Sequence, residues 1–366
     1  MRWFGRKAGR DAARPALARG FSGAVLGEWP RAYEAQARDA YAGNAVAQRA
    51  VRLIVEGLGQ APVFASEAAA GPLVTGALLE MIACHMLLHG NAFVELLGDG
   101  DGRVAELFPL RPERVTVEVD ARGWPAAYLY RAGTTATRLM AEDAAGRPAL
   151  VHIRALNPLD DHYGMGCLGA ASGAVAIHNA ATRWNKALLD NAARPSGALV
   201  YDPGEKGAAL SAEQFDRLKA EMDACFAGAG NAGRPMLLEG GLKWQALSLS
   251  PADMDFVGLK ATAAREIALA FGVPPLLLGL PGDATFANYR EANRALWRET
   301  ILPLLGKILD ALGGALSAWW PGVTFSVDLD LVPALSEDRE RLWKALTAAD
   351  FLSDAEKREM LGFDNG

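Results

Sequence analysis

His85 and His89 stand four residues apart in a helical stretch, a spacing that puts two imidazoles on one face where zinc could bind. The zinc-peptidase pattern also needs a glutamate after the first histidine, and this chain has Met86 there, so the pair reads as structural and half-buried. Asp160, Asp161 and His162 offer acid–base groups or the ligands of a metal-dependent nuclease. They lie, however, in NPLDDHYGMGCLG (157–169), a loop in which aspartates commonly bond their own backbone. Asp99 and Asp101 in GDGDG begin like a calcium loop but lack the later ligands. GAGNAG (228–233) spells G-x-G-x-x-G, yet a helix precedes it and a strand follows, the reverse of a dinucleotide site. The chain contains no phosphate-binding G-x-x-x-x-G-K-[ST] and no G-x-S-x-G elbow. His152, His162 and His178 form no cluster by spacing. No catalytic centre, metal or cofactor is therefore expected. One cationic array stands out: Arg290, Arg294 and Arg298 fall at i, i+4 and i+8 on a helix that also carries Glu291 and Glu299. It reads either as a solvated face paired with those glutamates or as a contact to phosphate or an acidic neighbouring subunit.

The elements that position these residues follow from periodicity and punctuation. Val46, Ala50, Leu53 and Ile54 share one face of a helix within 30–60, and Leu73–Leu88 is helical until Gly90-Asn91 stops it. AFVELL and VAELFPL flank GDGDGR as a hairpin, and RVTVEV and AAYLYRA flank DARGWP likewise. ALVHIRAL (149–156) is another strand. Ala170–Ala193 is one long helix dense in alanine and glycine, and small residues let backbones approach closely. Residues 196–250 read as a small α/β insert: GALVYD, a helix from a Ser211/Gln214 capping box to Phe226, then MLLEG and LKWQALSLS. Ser250-Pro251-Ala252-Asp253 starts the next helix, with Val257, Ala261, Ala264, Ala268 and Phe271 on one face. Sixteen uncharged residues follow from Ile267 to Gly282, broken by three prolines and three glycines. That segment is no membrane span, because Gly272-Val273-Pro274-Pro275 stops a helix. A further helix starts near Asn288 and should kink at Pro303. VTFSVDLDLV (323–332) alternates like a half-buried strand, and two short helices close the chain, the second capped by Ser353 and Glu356.

Length and charge bound the function. A chain of 366 residues exceeds a comfortable single core, so two or more lobes are expected, α+β in class. The formal charge is −6, but six basic residues against Asp11 give residues 1–19 a charge of +5, which leaves −11 for the remainder. An acidic body disfavours a tight, unspecific grip on nucleic acid, which comes from Lys and Arg displacing counterions. Three widely spaced cysteines, Cys84, Cys167 and Cys225, suggest free thiols in a reducing compartment, and the first residues lack the apolar run of an export signal.

Four stretches carry a resemblance: NPLDDHYGMGCLGAA, RPMLLEGGLKWQALSLSPADMDFVGLKATAAREIALAFGVPPLLLG, TFANYREANRALWRETILPLL and FLSDAEKREMLGF. In this order they resemble the portal proteins of tailed bacteriophages and of phage-derived gene transfer agents, over roughly residues 30–365. One departure is Cys167-Leu168, where relatives often have Ser-Pro. The resemblance implies an α+β portal fold assembled as a closed ring, usually of twelve subunits, at one capsid vertex. Its parts would be a basic arm (1–29), a wing (30–169), a first stem helix (170–195) and a clip (196–250). A second stem helix (251–272), a tunnel-loop region (273–288), a kinked wing helix with a strand (289–335) and short crown-like helices (336–366) would follow. Tunnel-loop or channel residues would be Leu280, Pro281, Asp283, Thr285, Phe286 and Asn288. Lys206, Glu213, Arg217, Lys243 and Trp244 would dock terminase or an adaptor, and Ala176, Ala180, Ala261 and Ala268 would pack the stem.

The implied partners are other copies of the chain, double-stranded DNA in the channel, the terminase large subunit, a head–tail adaptor and the major capsid protein, with no membrane. Assembly would take place in a bacterial cytoplasm. In such a ring the uncharged segment would be shielded by neighbouring copies. Two other readings compete: a monomeric DNA- or protein-binding adaptor, and a nuclease using Asp160, Asp161 and His162. Mass separates the first from a ring; a divalent-ion-dependent activity lost in Asp161→Ala would favour the second.

Overall fold

The computed structural model describes residues 33–190, 197–201, 211–226, 242–246, 256–280 and 286–362. The basic arm, GAGNAG, the MLLEG strand and the Ser250–Asp253 helix start lie outside them. The chain divides into two compact units, residues 1–172 with 267–366 and residues 173–266.

In the first unit, α1 (Tyr33–Ala37) continues into a π-helical turn, Arg38–Ala42. Asn44 then caps α2 (Ala45–Gly59), its side-chain oxygen accepting from the N–H groups of Val46 and Ala47, both at 3.0 Å. The buried stripe of α2 is Ala47, Ala50, Val51, Ile54 and Leu58; Val46 and Leu53, expected on that face, are half-buried. Strand β1 (Val63–Ala65) pairs antiparallel with Phe325–Val327 from far along the chain. Thr75 caps α3 (Gly76–Leu88), which is buried on nearly every side and ends at Gly90, φ 83°.

Two three-stranded antiparallel sheets follow. The first has the order β3-β2-β7, from β2 (Asn91–Gly98), β3 (Val104–Leu110) and β7 (Leu150–Arg154). The second is β4 (Val115–Val119), β5 (Pro125–Ala132) and β6 (Thr135–Met140) in order. Phe93, Leu110, Val115, Val117, Tyr128 and Leu150 form a core cluster that joins them. Both predicted hairpins are present. The aspartates that mimic a calcium loop hold a turn instead: Asp99 Oδ1 accepts from the N–H groups of Asp101 and Arg103. Strand β6 had no sequence signature, because it is largely exposed and no polar–apolar alternation marks it.

The chain leaves the first unit within α4 (Cys167–Asp190), which begins three residues before the expected Ala170. In the second unit β8 (Gly197–Tyr201) pairs antiparallel with β9 (Leu242–Ala246). Between them lies α5 (Ala212–Phe226), started by the Ser211/Gln214 capping box: each residue's side chain accepts from the other's backbone N–H. The chain returns within α6 (Phe256–Ala270).

Back in the first unit, α7 (Phe286–Leu296) runs through a π turn (Trp297–Ile301) into α8 (Leu302–Leu316), whose Leu305, Ile308, Leu309, Leu312 and Leu316 are buried. The kink expected at Pro303 takes this form because proline has no N–H for the Glu299 carbonyl, and Leu302 N–H bonds instead to Trp297. The long strand expected over 323–332 shrinks to β10 (Phe325–Val327). Asp328 ends it, its carboxylate accepting from Asp330 N–H to cap a 3-10 turn, Leu329–Leu331. Helix α9 (Ser336–Thr347) and α10 (Asp354–Leu361) follow, the latter with the full Ser353/Glu356 capping box. No helix among the described residues is long and apolar enough to cross a membrane.

Candidate functional site

The uncharged segment packs mainly against its own unit. Ile267, Ala268, Phe271, Val273 and Leu277 are buried, whereas Leu269 is 80% exposed. Helix α6 ends where Gly272 takes φ 67°, with Gly272 N–H bonded to Leu269 O and Val273 N–H to Ala268 O. A side chain at Gly272 would also meet Thr300 Oγ at 2.9 Å. That hydroxyl donates to the Gly272 carbonyl at 2.7 Å, tying the end of α6 to the π turn. Pro274 then leads into a 3-10 turn, Pro275–Leu278, closed by Gly279 at φ 70°. The turn at Gly272 folds Val273 and Leu277 into the chain's own core, whereas Leu269 and the half-buried Leu276, Leu278 and Leu280 keep surface that neighbouring copies could cover.

The arginine stripe is met by acids from a distant element. Arg294 is nine-tenths buried and lies 2.8 Å from Glu291, 3.4 Å from Glu337 and 3.0 Å from Asp338. Its Nε approaches the Asp338 carboxylate without hydrogen-bond alignment. Arg290 pairs with Glu337 and Arg298 with Asp338, the latter at 2.5 Å. The first turn of α9 thus spans all three cations.

A second constellation centres on Asn91, buried at the start of β2. Its Oδ1 accepts from Gly164 N–H at 2.7 Å and its Nδ2 donates to Gly164 O at 3.0 Å. Because the backbone fixes which amide atom donates, the histidine tautomers follow. His152 Nε2, 3.0 Å from Oδ1, must carry the proton, and His89 Nδ1, 3.1 Å from Nδ2, must accept. Burial pushes His152 down to about 3 and His85 and His89 each to about 4, with nearby positive charges adding to the effect at His152 and His85. All three are neutral at pH 7. His152 also stacks on Phe93, ring centroids 4.1 Å apart.

The Asp160 side chain accepts from the N–H groups of His162 and Tyr163, and Asn157 Nδ2 donates to Tyr163 O. Tyr163 Oη in turn accepts from Val117 N–H at 2.8 Å. Asp160 is therefore a turn residue, His162 is buried, and no group of three or more potential metal ligands occurs among the described residues. An open groove of about 570 Å³ is lined by Tyr33, Tyr41, Met81, Cys84, His85 and Phe108 among others. Burial raises the Cys84 thiol there, which disfavours a reactive thiolate.

The other residues singled out in the sequence are dispersed. Glu213, Arg217 and Lys243 are exposed in the second unit, Ala176 and Ala261 are half-buried there, and Ala180 is exposed. Ala268 is fully buried, Leu280 half-buried and Asn288 exposed. Lys206, Pro281, Asp283, Thr285 and the side chains of Trp244 and Phe286 lie outside the described residues. The sequence marks Asn91 only as part of a helix stop, and gives Thr300, Glu337 and Asp338 no site role. A cue existed only for the last two, an acidic pair opening a helix after a run of arginines at helical spacing.

Comparison with known proteins gives a consistent picture. A model of the phage portal protein family matches residues 45–362. An uncharacterised protein of Rickettsia bellii is 38% identical over 343 residues, covering 88% of each chain. A probable portal protein of Streptomyces phage phiC31 is 27% identical over 236 residues, 63% of this chain and 50% of that protein. Among solved structures, a chain from the neck of a native gene transfer agent particle, computed with C12 symmetry, superposes with a TM-score of 0.69. It is 45% identical and the match covers 94% of this chain and 97% of that one.

Proposed function

The chain belongs to the phage portal protein family, and from that premise we propose that its copies close into a ring, twelve in number, at one vertex of a phage or gene-transfer-agent capsid. The observation that carries this reading is the 45% identity, across nearly the whole chain, to a neck protein solved with C12 symmetry. A head-to-tail interface that closes on itself gives such a cyclic assembly. The ring conducts double-stranded DNA during packaging and ejection, and its role is mechanical, not enzymatic. The charge of −11 outside residues 1–19 supports passage, because a channel lined with Lys and Arg would hold phosphates spaced about 1.7 Å apart along the duplex axis.

Within the ring, residues 170–195 and 251–272 form the stem, the insert 196–250 forms the clip, and 279–288 form the constriction around the duplex. The exposed Glu213, Arg217 and Lys243 make the clip the docking surface for terminase and later for an adaptor. Residues 30–169 and 289–335 form the wing that meets the major capsid protein, with α9 and α10 above it as a small crown. Native mass spectrometry and class-averaged electron micrographs of the purified protein test the reading. Rings of about twelve copies are expected. A stable monomer or dimer within purified particles would overturn it.

A further inference from the structure

The helix running from 286 to 316 changes its hydrogen-bond ladder at Trp297–Ile301, immediately before Pro303. Helices bend where the ladder is interrupted in this way, and single π turns often mark functional sites. The acidic first turn of α9 lies across that joint. Glu337 takes Arg290 and Arg294 before it, and Asp338 takes Arg294 together with Arg298 inside the π turn. Helix α9 is anchored independently of α7. Arg339 bonds Asp330 at 2.5 Å and the Leu361 carbonyl at 2.8 Å, and Trp343 Nε1 reaches the same Asp330 carboxylate.

We infer that Glu337 and Asp338 are a splint that fixes the angle of the 286–316 helix, with Arg294 as its buried positioning residue. The exposed pairs at Arg290 and Arg298 hold weakly by themselves. Arg294 differs: it is buried, and without Glu337 and Asp338 its guanidinium keeps only Glu291 on its own helix, with nothing left to tie it to α9. Removing either side of that contact frees α7 to swing about residues 297–303. Thr300, in the same turn, grips the Gly272 carbonyl, so the joint is itself tied to the uncharged segment. The functional step rests on the portal reading: α7 begins within the stretch that reading assigns to the constriction, so the angle of α7 bears on how readily DNA passes.

The test uses the full chain as Arg294→Met and as Glu337→Gln with Asp338→Asn. Hydrogen exchange of amides 286–301 should accelerate about tenfold in both, with residues 76–88 and 302–316 unchanged. Wild-type rates throughout, or uniform acceleration that includes 76–88, would overturn the splint; Arg294→Lys, which keeps the charge, should recover part of the protection. Should Arg294→Met fail to fold, the amide pair still decides. In particles, both variants should assemble as wild type but fill with DNA at least several-fold less often; equal filling would remove the functional step. Failure of the wild-type chain itself to form rings would sink the portal reading and leave the exchange result standing.

Discussion

At the scale of single residues, the three histidines near Asn91 make a pH prediction. His85, His89 and His152 are held neutral by burial, at about 4, 4 and 3, whereas in the unfolded chain each titrates near 6.5. Between those values the unfolded chain binds protons that the folded chain refuses. Stability is therefore fully present above about pH 7 and falls as pH drops through 6 toward 4. At His89 the sign has a direct cause: a proton on Nδ1 would face the Asn91 amide donor. The urea midpoint should fall steadily from pH 7 to 4.5, with the decline shallower in His85→Leu, whose Nδ1 is buried without a partner. A flat midpoint over that range would contradict the lowering of these imidazoles by burial. The Asp330 carboxyl is held below its ordinary value chiefly by the hydrogen bond from Arg339, so its contribution is lost only at more acidic pH than that of the histidines. The histidines could be listed from the sequence and their pairing could not, because Asn91, Gly164 and His152 meet only when two strands and a loop close on one another.

At the scale of elements, the signals that survived folding were local. Hairpin turns, the Ser211/Gln214 and Ser353/Glu356 capping boxes and the stop at Gly90 act over a few residues, and all are found in place. Strand β6 and the brevity of β10 were hidden, the one by its exposure, the other by a capping aspartate within an alternating run. Glycines at element junctions separate two kinds of need. A Cβ on Gly164 would sit 2.1 Å from the Gly90 carbonyl and 2.6 Å from Ala155 N, all backbone that cannot yield. A Cβ on Gly279 would meet nothing within 4 Å, so only its positive φ opposes substitution. Gly279→Ala should therefore cost about 1 kcal/mol in chemical denaturation. Gly164→Ala should cost about 3 kcal/mol or more by displacing the loop from β2. Equal costs would show that the Gly90–Gly164 contact is looser than the structure has it.

At the scale of the whole molecule, the stem reading of α4 makes its own prediction. Ala180 is exposed on a helix rich in small residues, so a larger side chain there has little to disturb within one copy. Ala180→Leu should leave the isolated chain's thermal unfolding within about 0.5 kcal/mol of wild type. It should block ring closure if stem helices of neighbouring copies approach at this face. Intact rings of normal mass in that variant would remove α4 from the interface.

The sequence by itself determined the family, the antiparallel hairpins, the caps and the absence of familiar catalytic motifs, because each is written in residues close together along the chain. Only the tertiary structure decided what the charged and apolar outliers do. It set Glu337 and Asp338 against an arginine stripe some forty residues away, and at the left-handed Gly272 it turned Val273 and Leu277 of the uncharged segment into the core. Coulomb attraction and burial depend on distance in space, and no spacing along the chain records which distant groups a fold brings within reach.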